Sequence, residues 1–283
     1  MADQLIGPKP PRDELPPPAR ESQRERVRSV RDSDRLAQIL WPALALFVFV
    51  ALWEIGVQTE ILNPIIVPAA TDVASSLVRI VQLDFFWEAT WVTVQETLLG
   101  FVIGVAGAWI LGTLIGIFRV ARLGLYPLAI AFQITPRIAL APLFVTWFGF
   151  GITSKIVMAA TICFFPVLIA VVVGHDTVDE DARRLMRSFG ASRWETYRKL
   201  TLPSSLPIIF AGIKTAMTLA LIGAIVAEFV GGSEGMGVLI KTYNFQLNVA
   251  DGFAVIIALA IIGLILYGIT ELVERKIVFW RGH

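Results

Sequence analysis

The sequence contains a single cysteine, Cys163, which sits inside an apolar run. No intramolecular disulfide can form, and no cysteine-based metal site is available. There are only two histidines, His175 and His283, too few for a histidine cluster. Charge is also scarce: Asp, Glu, Lys and Arg make up 17% of the chain, against about 25% in an average soluble domain. The net charge is +1, so nothing argues for a nucleic-acid partner. No GxxxxGKS or GxxxxGKT phosphate loop occurs, and GFGITSK lacks its spacing. The chain therefore cannot bind ATP in the P-loop manner, and no cofactor is expected in it. The ionisable residues inside apolar runs are scattered and single. A membrane enzyme would need acid, base or metal-ligating groups converging at one depth.

Apolar residues are abundant. The chain is 56% hydrophobic with a mean hydropathy of +0.71, where a soluble domain is about 45–50% apolar. The excess lies in runs, which marks an integral membrane protein. Residues 1–35 are different. They are rich in Pro, Arg, Asp and Glu and cannot bury enough surface to fold alone. A basic start followed directly by an apolar run is absent, so this stretch reads as a disordered cytoplasmic tail, not a signal peptide. Residues 36–283 form the membrane domain.

Crossing the hydrocarbon takes about 20 mostly apolar residues. Six windows qualify, at roughly 37–57, 90–118, 125–149, 153–174, 205–229 and 252–274. The expected fold is thus all-α, with about six transmembrane helices. The third window contains Pro127, Pro136 and Pro142. Prolines at membrane depth free carbonyls that must face protein or water, so this span is expected to be broken and not simply lipid-facing.

Orientation follows from the cations. Of the 24 lysines and arginines, only Arg79 and Lys241 fall in segments that would be outside if the N-terminus is cytoplasmic. Arg137, Lys155 and Lys214 lie within or at the ends of spans, and the other nineteen fall inside. The positive-inside rule places both termini in the cytoplasm. On the outer side, Thr71–Leu83 can form a short surface helix capped by Thr71 or Asp72.

The inner segment from His175 to Pro203 is too long for an idle connection. It reads as two short helices. In the first, Thr177 and Glu180 have capping-box spacing, and acids precede Arg183, Arg184 and Arg187 in the order that suits the helix dipole. Gly190 supplies a left-handed junction. The second helix starts at Ser192, with Glu195 three residues on and Lys199 four after that. Trp194 and Tyr197 share a face, Leu200 extends it, and Pro203 is expected to stop the helix. The aromatic face either lies in the lipid interface or docks in a groove of a soluble partner.

Intramembrane ionisable residues are candidates for a translocation pathway. Glu228 either lines such a path or makes a structural ion pair. Arg137 either faces a water-filled cavity or pairs with an acid such as Glu96. Phe132 and Gln133, just before the break, either face a pore or pack in the core. Lys155 and Lys214 are expected to snorkel. The GGSEGMG stretch, Gly231 to Gly237, is expected to be a flexible outer loop, with a gate or partner contact as the alternative.

GASRWETYRKLTLPSSLPIIFAG resembles the cytoplasmic signature loop of ABC-importer inner-membrane permeases. Gly190, Ala191, Ser192, Trp194, Tyr197, Leu202 and Pro203 match its pattern. WFGFGITSK, FFPVLIA, TPRIALAPLF and VPAATDV resemble the branch handling nitrate, sulfonates, taurine, bicarbonate, or thiamine- and riboflavin-related compounds. The likeness covers roughly residues 40–275. It departs at Arg184, Leu185 and Met186, which stand where the family opens with Glu-Ala-Ala. The resemblance implies a type I permease fold and a pair of permeases in the membrane, most simply a homodimer. It also implies a separate ATPase that binds ATP-Mg and grips the Gly190–Pro203 arm through Gly190, Ala191, Ser192, Trp194, Glu195, Tyr197, Leu200 and Pro203. An extracytoplasmic substrate-binding protein would complete the system. The competing reading is a channel or ion-driven carrier without an ATPase.

Overall fold

The structure is a computed structural model that describes residues 40–280. The tail expected over 1–35 lies outside the described residues. Helices joined by turns, bends and short irregular links make up the described residues, and no strand occurs among them. The chain divides into two units, one ending at Leu62 and one beginning at Asn63.

In the first unit, helix α1 (Leu40–Gln58) has 19 residues with a mean hydropathy of 2.0. Leu44, Phe47 and Leu52 are exposed around it. A helix that is apolar all round has no polar face for water and belongs in a bilayer.

The second unit starts with α2 (Ala70–Ile80), followed by α3 (Asp84–Ile117), α4 (Arg119–Ile134), α5 (Ala141–Phe148) and α6 (Ile152–Asp176). Then come α7 (Glu180–Ser188), α8 (Arg193–Thr196), α9 (Leu202–Gly231), α10 (Met236–Phe245) and α11 (Val249–Ile277). Among the described residues five helices are long and apolar enough to span a membrane, six if α4 and α5 are one broken span. The sequence windows anticipated this number.

Helices α3, α6 and α9 form the core, with Ala108, Ile115, Val167, Leu168, Ile209 and Ala220 buried between them. Glycines on α3 allow α6 to approach closely. A Cβ on Gly100 would sit 2.5 Å from the Ala159 Cβ, and one on Gly104 would meet the Cys163 sulfur. Small residues at four-residue spacing bring helix backbones together where lipid offers no hydrophobic drive. The lone cysteine is thus part of a helix seam. α3 has 34 residues, about 51 Å at 1.5 Å per residue, so it extends well beyond a ~30 Å hydrocarbon layer.

The third span is broken as the prolines require. α4 ends at Ile134, and α4 meets the Arg137–Phe148 segment at 84°. Thr135, preceding Pro136, is extended at φ −62° and ψ 135°. The proline ring disfavours the helical conformation for the residue before it. Pro142 lies in the first turn of α5, where its missing N–H costs nothing.

Several local expectations are corrected. α2 begins at Ala70, and its N-cap, Ala69, makes no side-chain cap, so neither Thr71 nor Asp72 holds that position. α2 is fixed instead by an ion pair from Arg79 to Asp251 on α11, whose carboxylate also takes a hydrogen bond from Asn248 at 2.6 Å. Lys155 does not snorkel. It is buried, and its ammonium donates to the carbonyls of Phe150 and Gly151, pinning the turn before α6. Lys214 is paired with Glu274 of α11 at 2.7 Å and lies over the Tyr267 ring.

Candidate functional site: the 175–204 elbow

α6 runs to Asp176, so Thr177 remains attached to it. The Thr177 hydroxyl donates to the Gly174 carbonyl at 2.9 Å, and the residue caps the C-terminus of α6. The expected Thr177–Glu180 box therefore does not form. Asp179 is the N-cap of α7 and accepts from the Asp181 N–H at 3.1 Å. On α7, Arg187 pairs with Glu180 at 2.8 Å and Arg184 with Asp181 at 3.5 Å.

The junction takes the expected conformation. Gly190 has φ +75°, with nothing near the place a Cβ would occupy. Its N–H donates to Arg187, and the Ala191 N–H donates to Met186. This pair of reversed bonds is the Schellman ending, which needs a left-handed residue at its corner. The chain then restarts at once. The Ser192 N–H donates to Glu195 Oε2 at 2.9 Å, and the Glu195 N–H donates to Ser192 Oγ at 3.2 Å. Glu195 and Lys199 approach to 3.7 Å. In these polar turns, outside the apolar part of the helix, the Ser192 backbone N–H holds the Glu195 carboxyl below its ordinary range. The Ser192 hydroxyl and Lys199 add to that shift.

Pro203 does not end the helix. Tyr197–Thr201 forms a π-helical turn, and the Leu202 N–H reaches back to the Tyr197 carbonyl. Pro203 falls in the first turn of the next α-helical stretch, so Arg193 to Gly231 is one continuous rod. The widened turn changes the register of the backbone bonds, which lets a proline follow without breaking the helix. The second arm of the elbow is therefore a direct extension of a core span.

The aromatic face divides into two roles. Trp194 and Tyr197 stack with centroids 5.4 Å apart and planes 25° apart. Tyr197 is buried, and its hydroxyl lies 3.0 Å from Thr113 Oγ1 on α3. Trp194 is 61% exposed, and Phe189 and Leu185 beside the bend are exposed as well. Ala191, Leu200 and Pro203 are half-buried. The expected elbow residues are thus together at the bend and along the helix that follows it, with an anchored inner edge and an apolar outer edge.

The intramembrane candidates are not brought together. Glu228 is completely buried between α3, α9 and the start of α10. It accepts from Thr93 Oγ1 at 2.6 Å and from the Gly237 N–H at 2.5 Å. Thr93 Oγ1 in turn accepts from the Met236 N–H at 2.8 Å. This network pins the Gly231–Gly237 stretch to the core, so it is a tied turn where a flexible loop was expected. Glu96 is buried beside Glu228 and does not pair with Arg137. Arg137 instead donates to the Ile162 carbonyl at 3.1 Å and lies over the Phe165 ring at 5.1 Å. Phe132 and Gln133 are exposed on α4, not packed in the core. Met236 lies within the GGSEGMG stretch, but Thr93 and Thr113 carry none of the signals used above. The trace of Thr93 in the sequence is the polar series Thr90, Thr93, Glu96 and Thr97, which forms one face of an apolar helix.

Residues 100–279 match the family described as the binding-protein-dependent transport system inner membrane component. The chain belongs to this family. It is an ABC-importer permease of the inner membrane, crossing it several times. The riboflavin transport system permease RibX of Chloroflexus aurantiacus is 35% identical, over 87% of this chain and 94% of that protein. The formylaminopyrimidine transport permease ThiX of Halalkalibacterium halodurans is 31% identical, over 87% and 98%. The putative aliphatic sulfonates permease SsuC of Bacillus subtilis is 28% identical, over 83% and 85%. Among solved structures, the MetNI methionine ABC transporter in an inward-facing form aligns with a TM-score of 0.61 and 18% identity. That alignment covers 68% of this chain and 96% of the other, and it establishes the type I permease fold. A permease of this family works with an ATPase and a substrate-binding protein.

Proposed function

We propose that this permease forms a translocation pathway with a second copy of itself and is driven by a separate ATPase that grips the Gly190–Pro203 arm. The observation that carries this reading is the exposed apolar edge formed by Trp194, on an arm continuous with a core span, and by Leu185 and Phe189 across the Gly190 bend. Exposed apolar patches on a polar segment mark protein contacts. An arm fused to α9 and braced on α3 would pass a partner's movement into the membrane without loss in a flexible joint. The sequence has no phosphate loop, so the nucleotide belongs to the partner. In this reading the pathway runs by the α4–α5 break, where Phe132, Gln133 and Arg137 lie. Glu228 acts behind it as a brace.

The substrate is a small solute. The aliphatic sulfonate and taurine names belong to relatives 28% and 26% identical, and the riboflavin and formylaminopyrimidine names to those 35% and 31% identical. This ordering favours a vitamin-precursor-like heterocycle over a nitrate-, sulfonate- or bicarbonate-like anion.

The test is co-purification of the ATPase with tagged permease, wild type against Trp194→Glu, followed by uptake into reconstituted vesicles. Loss of the ATPase from a folded Trp194→Glu protein, with ATP-dependent uptake by the wild type, supports the reading. Uptake by the permease without any ATPase would overturn it in favour of an ion-driven carrier.

A further inference from the structure

A cavity of about 260 Å³ opens at the foot of the elbow, where the C-terminal ends of α3 and α6 meet α7 and α8. This is far above the ~10–15 Å³ that one water requires by the same kind of measure. Arg183, Arg187 and Arg193 all line it, against a single carboxylate, Glu180. That carboxylate is already taken by Arg187 at 2.8 Å. Arg183 bonds the carbonyl of His175 through one terminal nitrogen, which also lies 3.2 Å from His175 Nδ1. Its Nε–H is buried and has no partner among the described residues. Arg193 is exposed at the rim. The carbonyl ends of α3 and α6 bring partial negative charge to this place, and that accounts for part of the cation excess. It does not account for a buried guanidinium N–H without an acceptor, since buried donors are almost always satisfied.

We propose that this pocket holds a phosphate group, supplied by an anionic phospholipid headgroup or by free phosphate. A phosphate oxygen accepts the Arg183 Nε–H from within the pocket while Arg193 approaches from α8. Arginine forks suit phosphate oxygens better than any other side chain. The pocket lies at the cytoplasmic ends of two spans, where basic pockets between helices take anionic headgroups. One bound anion then ties both arms of the elbow to the ends of α3 and α6, stiffening the arm. The inference does not depend on ATPase docking.

The test uses the purified full-length permease in phosphatidylcholine nanodiscs. Its thermal midpoint is measured with inorganic phosphate against chloride at matched ionic strength, and in discs doped with phosphatidylglycerol. A rise with phosphate identifies a soluble source, and a rise only with phosphatidylglycerol identifies the headgroup. Either result supports the site if Arg193→Ala weakens the response about tenfold, as loss of one charged hydrogen bond should. Arg183→Lys, which lacks the Nε–H, should do the same. If Arg183→Lys does not fold, Arg193→Ala decides alone, because it alters an exposed side chain. No rise in either arm, or an equal rise in wild type and Arg193→Ala, overturns the proposal.

Discussion

The hydroxyls of Tyr197 and Thr113 lie 3.0 Å apart, joining the base of the elbow to α3. Trp194 stacks on the other face of that anchor and remains exposed. The two aromatics should therefore respond differently to substitution. Tyr197→Phe removes one hydrogen bond and should lower stability by about 0.5–1.5 kcal/mol, with ATP hydrolysis retained but transport per ATP reduced. Trp194→Ala should leave the thermal midpoint nearly unchanged and weaken ATPase retention. Measuring the midpoint and ATPase retention on both variants tests the division. Equal behaviour of the two would contradict it.

Gly190 carries the bend between α7 and α8 at φ +75°. Any L-residue there is strained by about 1–2 kcal/mol, and a β-branched one most. Gly190→Val should uncouple ATP hydrolysis from uptake in vesicles. Gly190→Asn should retain most of the coupling, because asparagine tolerates the left-handed region. The space around Gly190 is open, so the contrast reports backbone conformation and not crowding.

The capping box at Ser192 and Glu195 closes the start of the second arm. Ser192→Ala should cost about 1 kcal/mol of local stability, as a lost N-cap does. Faster hydrogen exchange at the Glu195 amide would show it. The carboxylate contributes with a definite sign. Its pKa in the folded state lies below the ordinary 4.5. The box is therefore at full strength above that ordinary value and weakens as pH falls through the lower folded one. Elbow protection should be flat from neutral pH down to about 5 and decline only in stronger acid. A decline beginning near neutrality would show that another group controls the arm.

The parts of the elbow and of the broken span legible in the sequence are the local ones. Gly190, the Ser192–Glu195 pair and the proline break before Arg137 each act within a few residues, so spacing alone exposes them. Pro203 misled for the same reason. A proline four residues past Lys199 ends an ordinary helix, and only the π-turn at Tyr197–Thr201 removes that conflict. The split between Trp194 and Tyr197 needed α3, because both have the same chemistry and share a face. Lys155 and Lys214 were misread because their partners lie in a turn and on a distant span. Glu228 depended most on tertiary structure. Its bond to Thr93 crosses 135 positions, and nothing near either residue announces the other.

Glu228 also gives the sharpest contrast between a brace and a pathway group. Its carboxylate receives the Thr93 hydroxyl and the Gly237 N–H in a site closed to solvent. Glu228→Leu would strand the Gly237 N–H, while the Thr93 hydroxyl keeps the Ala89 carbonyl at 3.2 Å as an acceptor. A stranded buried donor costs about 1–3 kcal/mol, so about that much should be lost and the detergent-solubilised midpoint should drop. Thr93→Val should reproduce part of that loss, because it orphans the Met236 N–H. The two effects should be less than additive, since the residues share one network. A pathway residue behaves otherwise: its neutral variants change uptake and leave the midpoint alone. Thermal midpoints and uptake for Glu228→Leu, Thr93→Val and the double variant therefore separate the two roles. An unchanged midpoint with altered uptake in Glu228→Leu would move this residue from the brace to the pathway.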